Sequence, residues 1–246
     1  MATYVVSDLH GQFHLFAKLL KEINFNENDF MYILGDAIDR GPDGILLLQA
    51  IKDAPNMDLL IGNHEFLMLQ SVSVDGSADL TGADATLWTL YNGGEITYEH
   101  YEDLLLEERK DLLEWLNTRK LTTVVTVNDK KYCLTHSFFN EEGIDMELKD
   151  IDKEVAWECV WCSPFRQDLY KSIDSYNIPD TTFIIGHVPV QRVVDGFHAY
   201  KEENVILIDG GCAMAANPKY DKDTYGIICL CLDDMKENVI YMSEVE

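Results

Sequence analysis

Basic residues are scarce in this chain. Its 246 residues include 19 Lys or Arg against 44 Asp or Glu, a formal net charge of −25. Such a charge repels a nucleic-acid backbone or an anionic membrane and excludes broad, charge-driven binding to either. A small phosphorylated substrate stays open, because a metal ion reverses the sign of the field locally. Long apolar runs are missing as well. None approaches the roughly 18 residues of a membrane span, and residues 227–232 are among the longest. Met1-Ala2-Thr3-Tyr4 puts no basic stretch before an apolar one, so no secretory signal is expected. Six cysteines in a chain of this size fall short of a secreted disulfide framework. Cys159 and Cys162 form one CxxC, but no second follows at finger-like spacing, so buried thiols in a reducing cytoplasm are expected. Internal repeats, low-complexity tracts and Gly/Ser linkers are absent too. What is present is a hydrophobic content of 47%, enough to fill a globular core and too high for a disordered chain.

Apolar runs of strand length recur, each followed abruptly by a small residue and a polar one. Tyr4-Val5-Val6 leads to Ser7-Asp8, Met31-Tyr32-Ile33-Leu34 to Gly35-Asp36, and Leu59-Leu60-Ile61 to Gly62-Asn63. Tyr132-Cys133-Leu134 leads to Thr135-His136, Phe183-Ile184-Ile185 to Gly186-His187, and Val205-Ile206-Leu207-Ile208 to Asp209-Gly210-Gly211. Strands that are apolar without alternation imply sheets covered on both faces. Between the early strands, Phe13, Phe16, Leu19, Leu20 and Ile23 recur at helical spacing, as do Ile45, Leu48 and Ile51. This βαβαβ alternation argues for an α/β fold. Residues 99–119 read as one longer helix with Leu104, Leu105, Leu112, Leu113 and Trp115 on its apolar face. Segments 141–154 and 168–179 read as helix-and-loop insertions. The expectation is a single α/β domain over residues 1–246, its β-sheets flanked by helices, with a helical insertion near 71–120.

In open α/β sheets, ligands bind outside the carboxyl ends of the strands. Five apolar runs deliver Asp8 with His10, Asp36, Asn63, His136 and His187 to that kind of edge. Each alone has an ordinary reading, since Asp or Asn after a strand is more often a turn former. Together they supply two carboxylates, one amide and three imidazoles, donors suited to Mn²⁺, Fe or Zn²⁺. Six ligands exceed the need of one catalytic ion that keeps an open position. Two ions sharing a bridging carboxylate would use them all, the arrangement that clamps the oxygens of an in-line displacement at phosphorus.

The neighbouring residues complete three signatures: Asp8-x-His10, then Gly35-Asp36-x-x-Asp39-Arg40-Gly41, then Gly62-Asn63-His64-Glu65. With Thr135-His136 and Gly186-His187-x-Pro189, the chain resembles the calcineurin-like metallophosphoesterases, and within them the phosphoprotein phosphatase branch with its small bacterial and phage serine/threonine phosphatases. The resemblance runs from residue 8 to about residue 211. It implies a layered fold with a dinuclear metal site at the strand C-terminal ends. It implies that Asp8, His10 and Asp36 hold the first ion, and that Asp36 bridges to a second completed by Asn63, His136 and His187. His64 matches the family's general acid, Asp39 the partner that orients it, and Arg40 the arginine that grips phosphate.

The chain departs from the family pattern at one place. A second phosphate-binding arginine is expected shortly after a tryptophan, but Trp161-Cys162-Ser163-Pro164-Phe165-Arg166 puts Ser163 there. Either Arg166 reaches the site from three residues later or the second contact is absent. His14, His100 and His198 stand outside any motif. Asp209 is expected to act beside the site rather than as a ligand. Trp88, Trp115 and Trp157 are expected to pack, with Trp161 a candidate to line the cleft. The leading function is two-metal hydrolysis of phosphate monoesters, phosphoserine or phosphothreonine in proteins, with manganese the first-choice ion. The rivals are symmetrical hydrolysis of dinucleoside tetraphosphates and a non-catalytic metal-binding module. Membrane and nucleic-acid partners are not expected, and oligomeric state is open.

Overall fold

The computed structural model describes residues 1–214, 217 and 219–245. The chain opens with strand and helix in alternation: β1 (Thr3–Val6), α1 (Phe13–Glu22), β2 (Phe30–Ile33), α2 (Gly44–Asp53) and β3 (Met57–Leu59). Leu15, Phe16 and Leu19 of α1 and Ile45, Leu48 and Ile51 of α2 are buried, while Phe13, Leu20 and Ile23 pack at the margin of the same core. α3 (Asn63–Ser71) follows, then α4 (Asp84–Thr86), which runs into a π-helical turn at Leu87–Tyr91. Next come α5 (Glu95–Glu102), α6 (Leu106–Asn117), β4 (Thr122–Val127), β5 (Lys130–Thr135) and α7 (Lys153–Trp161). The remaining strands are β6 (Thr181–Ile185), β7 (Tyr200–Glu202), β8 (Val205–Leu207), β9 (Gly226–Cys231) and β10 (Glu237–Tyr241).

The single helix expected over 99–119 is two. Leu105 sits in extended backbone at φ −64° and ψ 150°, and Glu108 turns back to accept its N–H at 2.7 Å, so α6 starts afresh there. Leu105 is consequently 71% exposed, and the buried face of α6 is Leu112, Leu113 and Leu116. β4 was not anticipated. It pairs with β5 through a two-residue turn, Asn128-Asp129, whose φ values of 50° and 63° fit the twist of a tight hairpin.

Two five-stranded sheets result, in the orders β10-β9-β1-β2-β3 and β4-β5-β6-β8-β7. β1, β2 and β3 run parallel, as do β5, β6 and β8; β9 is antiparallel to both β1 and β10 in the first sheet, and β4 and β7 are antiparallel edge strands of the second. Unbroken apolar strands follow from this layering. In β1, Val6 packs with the helices and Val5 with the second sheet, and Ile227 and Ile228 of β9 divide likewise. One core therefore lies between the first sheet and its helices, and the other between the two sheets. All six parallel strands deliver their carboxyl ends to one rim. There Gly186 N donates to His136 O at 2.8 Å, and His136 Nδ1 reaches Leu34 O at 2.7 Å, tying one sheet to the other. No helix among the described residues is long and apolar enough to cross a membrane.

Candidate metal centre and cleft

Asp8 and His10 follow β1, Asp36 follows β2, Asn63 opens α3 after β3, His136 follows β5 and His187 follows β6. All six side chains converge. His136 Nε2 lies 3.0 Å from Asn63 Oδ1, 3.2 Å from His187 Nδ1 and 3.5 Å from Asp36 Oδ2. His187 Nδ1 is 2.8 Å from Asn63 Oδ1, and His10 Nε2 is 3.8 Å from Asp36 Oδ2. Asp8 Oδ2 accepts the backbone N–H of His187 at 3.0 Å and the Ser7 hydroxyl. Close approach of the strands is itself a sequence requirement: a Cβ on Gly62 would stand 2.2 Å from Asp36 Oδ1.

Hydrogen bonding fixes which ring atoms face inward. A backbone carbonyl only accepts, so His136 Nδ1 donates to Leu34 O, and His10 Nδ1 donates to Ile38 O at 3.0 Å. In the neutral rings, both Nε2 atoms then present lone pairs toward Asp36 Oδ2. Lone pairs on imidazole, amide and carboxylate directed at one another repel unless a cation stands between them. The arrangement matches the second-layer bonding that orients histidine ligands.

The electrostatics say the same. Burial holds the His10 and His187 imidazoles well below their usual range and His136 at about 4, so they are neutral. Burial, then the neighbouring Asp8 and Glu65 charges, pushes Asp36 well above the carboxylate range; Asp8 is raised by burial and by Asp209. Divalent cations would relieve both strains together. His10, Asp36 and His64 form one group able to hold a metal ion, and Asp36, His136 and His187 a second, sharing Asp36. The first group contains His64 where the sequence suggested Asp8. His64 differs from the other rings in having its Nδ1 bonded at 2.6 Å to the Asp39 carboxylate, and Asp8 lies at the same rim.

Beside the cluster, His64 Nε2 is 3.2 Å from Arg40 Nη2. Burial lifts Asp39 to about 7 and depresses His64. The cleft holds about 540 Å³ and is lined by Arg40, Arg166 and Arg192, three of the chain's five arginines. Arg166 reaches it: Nη1 lies 3.0 Å from His187 Nε2, Asp168 Oδ1 holds Nε at 3.0 Å, and the guanidinium sits 5.8 Å from the Trp161 ring centre. Ser163 is buried in the backbone turn behind it. Trp161 and Asp209 also line the cleft, whereas His14, His100 and His198 do not. Trp157, expected to pack, is 41% exposed because it lies on the outer side of α7.

Three residues escaped sequence reading. Glu65 was visible only as part of a signature, yet its carboxylate takes the N–H groups of Asp36, Ala37, Ile38 and Gly62. Thr97 Oγ1 accepts Asp39 N–H at 3.0 Å, and Trp88 Nε1–H donates to Asp39 Oδ2 at 2.8 Å. No local pattern marks Thr97, and Trp88 looks like any core aromatic.

With the geometry in place, the chain can be set beside known proteins. The family model for the calcineurin-like phosphoesterases matches residues 1–220. Serine/threonine-protein phosphatase 1 of Salmonella typhimurium is 36% identical over 221 residues, 86% of this chain and 90% of its own. A symmetrical bis(5′-nucleosyl)-tetraphosphatase of Nitrosospira multiformis is 32% identical over 139 residues, 56% of this chain but 43% of that relative. A solved serine/threonine phosphatase from Saccharomyces cerevisiae shares the fold, with a TM-score of 0.60 at 16% identity, covering 98% of this chain and 79% of its own.

Proposed function

The chain belongs to the calcineurin-like phosphoesterase family, and from that premise we propose that it hydrolyses phosphate monoesters, with phosphoserine and phosphothreonine in proteins as the substrate class. The observation that carries this reading is the convergence of unprotonated donors on Asp36 beside a His–Asp pair and two inward arginines. Asp8, His10 and Asp36 would hold one divalent cation, and Asp36, Asn63, His136 and His187 would hold a second. Manganese is the proposed ion, though the oxygen and imidazole set also suits iron or zinc. When bound, the cations supply positive charge to the phosphoryl group and make hydroxide available near neutral pH.

The chain's own residues do the rest. Arg40 and Arg166 bind phosphoryl oxygens through their planar forks. Arg166 arrives pre-set, because Asp168 holds its other edge. As the acid, His64 must carry a proton on Nε2 as well as on Nδ1. A bound phosphoryl group that takes over the Arg40 charge would, with the Asp39 carboxylate at Nδ1, favour that imidazolium, and Nε2 then gives its proton to the departing oxygen as the ester P–O bond breaks. Water supplies the new P–O bond, and no side chain is required as a nucleophile.

The six free, buried thiols suit a reducing compartment, and we place the protein in the cytoplasm. The phosphoprotein reading draws on similarity along nearly the whole phosphatase relative, against less than half of the tetraphosphatase. The test is manganese-loaded protein offered a phosphoserine peptide and diadenosine tetraphosphate. Phosphate release from the peptide is expected to exceed nucleoside diphosphate release, and His64→Asn is expected to abolish most of it. Faster cleavage of the dinucleotide would transfer the function to the rival, and absence of turnover on either would leave a non-catalytic metal-binding module.

A further inference from the structure

The segment from α4 to α5 holds the Asp39–Arg40 corner at four points. Trp88 Nε1–H donates to Asp39 Oδ2 at 2.8 Å, and Asp39 N–H donates to Thr97 Oγ1 at 3.0 Å. Arg40 N–H donates to Gly93 O at 3.0 Å, and its Nε reaches Asn92 O at 3.4 Å. Asp39 and Arg40 both occupy left-handed backbone, with φ of 69° and 68°, a conformation that needs such outside support. We propose that Trp88 is a positioning residue for proton donation: its indole N–H fixes the Asp39 carboxylate and, through it, the His64 ring.

The bonding pattern makes the indole hard to replace. Asp39 Oδ2 takes both the His64 Nδ1–H at 2.6 Å and the Trp88 N–H at 2.8 Å, while buried Oδ1 finds no partner among the described residues. His64 is the group being positioned, so the indole is the independent anchor for the carboxylate's rotation. Asp39 and Trp88 are fully buried, which leaves no route for water to take over the bond. The ring is itself wedged. A Cβ on Gly94 would lie 2.3 Å from Trp88 Nε1, and Gly94 N–H closes the π-turn on Trp88 O at 3.0 Å. Single π-turns are rare and recur at functional sites. A tryptophan retained for packing alone has no need of its only polar atom pointing at this carboxylate.

This proposal rests on His64 acting as the acid, and the experiment separates the two. Trp88→Phe keeps most of the apolar contact and removes the donor. Turnover of manganese-loaded protein is measured on a phosphoserine peptide, whose alkoxide needs a proton to leave, and on p-nitrophenyl phosphate, whose phenolate does not. The kcat on the peptide is expected to fall about tenfold further than on p-nitrophenyl phosphate, a fraction of what a general acid contributes. The peptide KM and the manganese bound per chain are expected to stay at wild-type values. Gly94→Ala, which displaces the indole without deleting it, is expected to show the same split, and it answers the question should the Phe variant fold poorly. His64→Asn is the reference. Without a split there, the acid reading falls and takes this proposal with it. A split in His64→Asn with equal losses, or none, in both Trp88-directed variants overturns the proposal alone, as does a loss explained by missing manganese.

Discussion

Glu65→Gln is the substitution whose cost the structure states most directly. Glu65 is fully buried in the first turn of α3. Oε2 accepts Asp36 N–H at 2.8 Å and Gly62 N–H at 3.0 Å, and Oε1 accepts Ala37 N–H at 2.8 Å and Ile38 N–H at 3.3 Å. Burial raises the carboxyl above its usual range while the backbone donors pull it back. Two states are conceivable, and they predict different outcomes. An ionised carboxylate fills all four donors, and glutamine must turn an NH₂ toward two of them. Hydrogen bonds to a charged group are worth about 1.5–3 kcal/mol each, so losing two costs about 3–6 kcal/mol, less what is regained by no longer burying a charge. A net loss of about 3 kcal/mol corresponds to a melting temperature about 6–12 °C lower for a chain of this size. The carboxylate also sets the backbone of Asp36, and loosening such a support lowers metal affinity about 10–100-fold. The assay is thermal unfolding of metal-free protein by circular dichroism, followed by manganese titration. A variant that melts with the wild type and binds manganese equally would mean that Glu65 is protonated in the fold, and the ionic account would be wrong.

Gly62→Ala would bring a Cβ to 2.2 Å from Asp36 Oδ1 and 2.5 Å from Asp36 N, so Asp36, the proposed shared ligand, must move; bound manganese should fall below two ions per chain, and retention of two would contradict the proposed bridging role. Burial pushes the Cys159 thiol up to about 12, well above assay pH, so the reactive thiolate is absent and native protein should resist iodoacetamide at about pH 8 while all six thiols react in denaturant. Mass spectrometry showing native alkylation of Cys159 would refute that burial. Arg119 pairs with Asp58 at 2.8 Å and stacks 5.3 Å from the Trp115 ring centre, but the pair is partly exposed; Arg119→Ala should cost about 1 kcal/mol in urea unfolding, and a cost above about 3 kcal/mol would show the pair to be far less screened than its exposure implies.

The parallel strands and the residues at their carboxyl ends were legible because their signals are local. An apolar run, a small residue and a polar donor sit within six positions, and where the small residue is Gly35, Gly62 or Gly186 a Cβ would strike a neighbouring strand end. The hairpin of β4 was also legible in principle, since Asn128-Asp129 lies between two β-branched or aromatic runs. The break between α5 and α6 was obscured by Leu104 and Leu105, which fill the apolar spacing of a continuous helix although Leu105 faces solvent. Thr97 and Trp88 were beyond reach for a different reason. They meet Asp39 across 58 and 49 residues of chain, respectively, and neither bond imposes a spacing that a sequence can display.

The rim shows why this site tolerates so much strained backbone. Asp8, His10, Asp36, Asp39, Arg40 and His187 all have φ between 43° and 73°, a region that costs non-glycine residues of order 1–3 kcal/mol each. Relaxation of any one would need its N–H to change partners, and every one of the six N–H groups is engaged. Asp8 donates to Gly35 O, His10 to Asp36 O, Asp36 to Glu65, Asp39 to Thr97, Arg40 to Gly93 O and His187 to Asp8. Most of these acceptors lie far from their donors in the chain, from the β2 end, from Glu65 of α3, from the α4–α5 segment and from Asp8, so each strained residue is held by a part of the fold other than its own loop. Left-handed backbone turns a side chain sharply away from its strand, which is how strands in two different sheets aim donors at one point. The strain is therefore a consequence of assembling the site from separate strand ends, and long-range hydrogen bonds are what hold it.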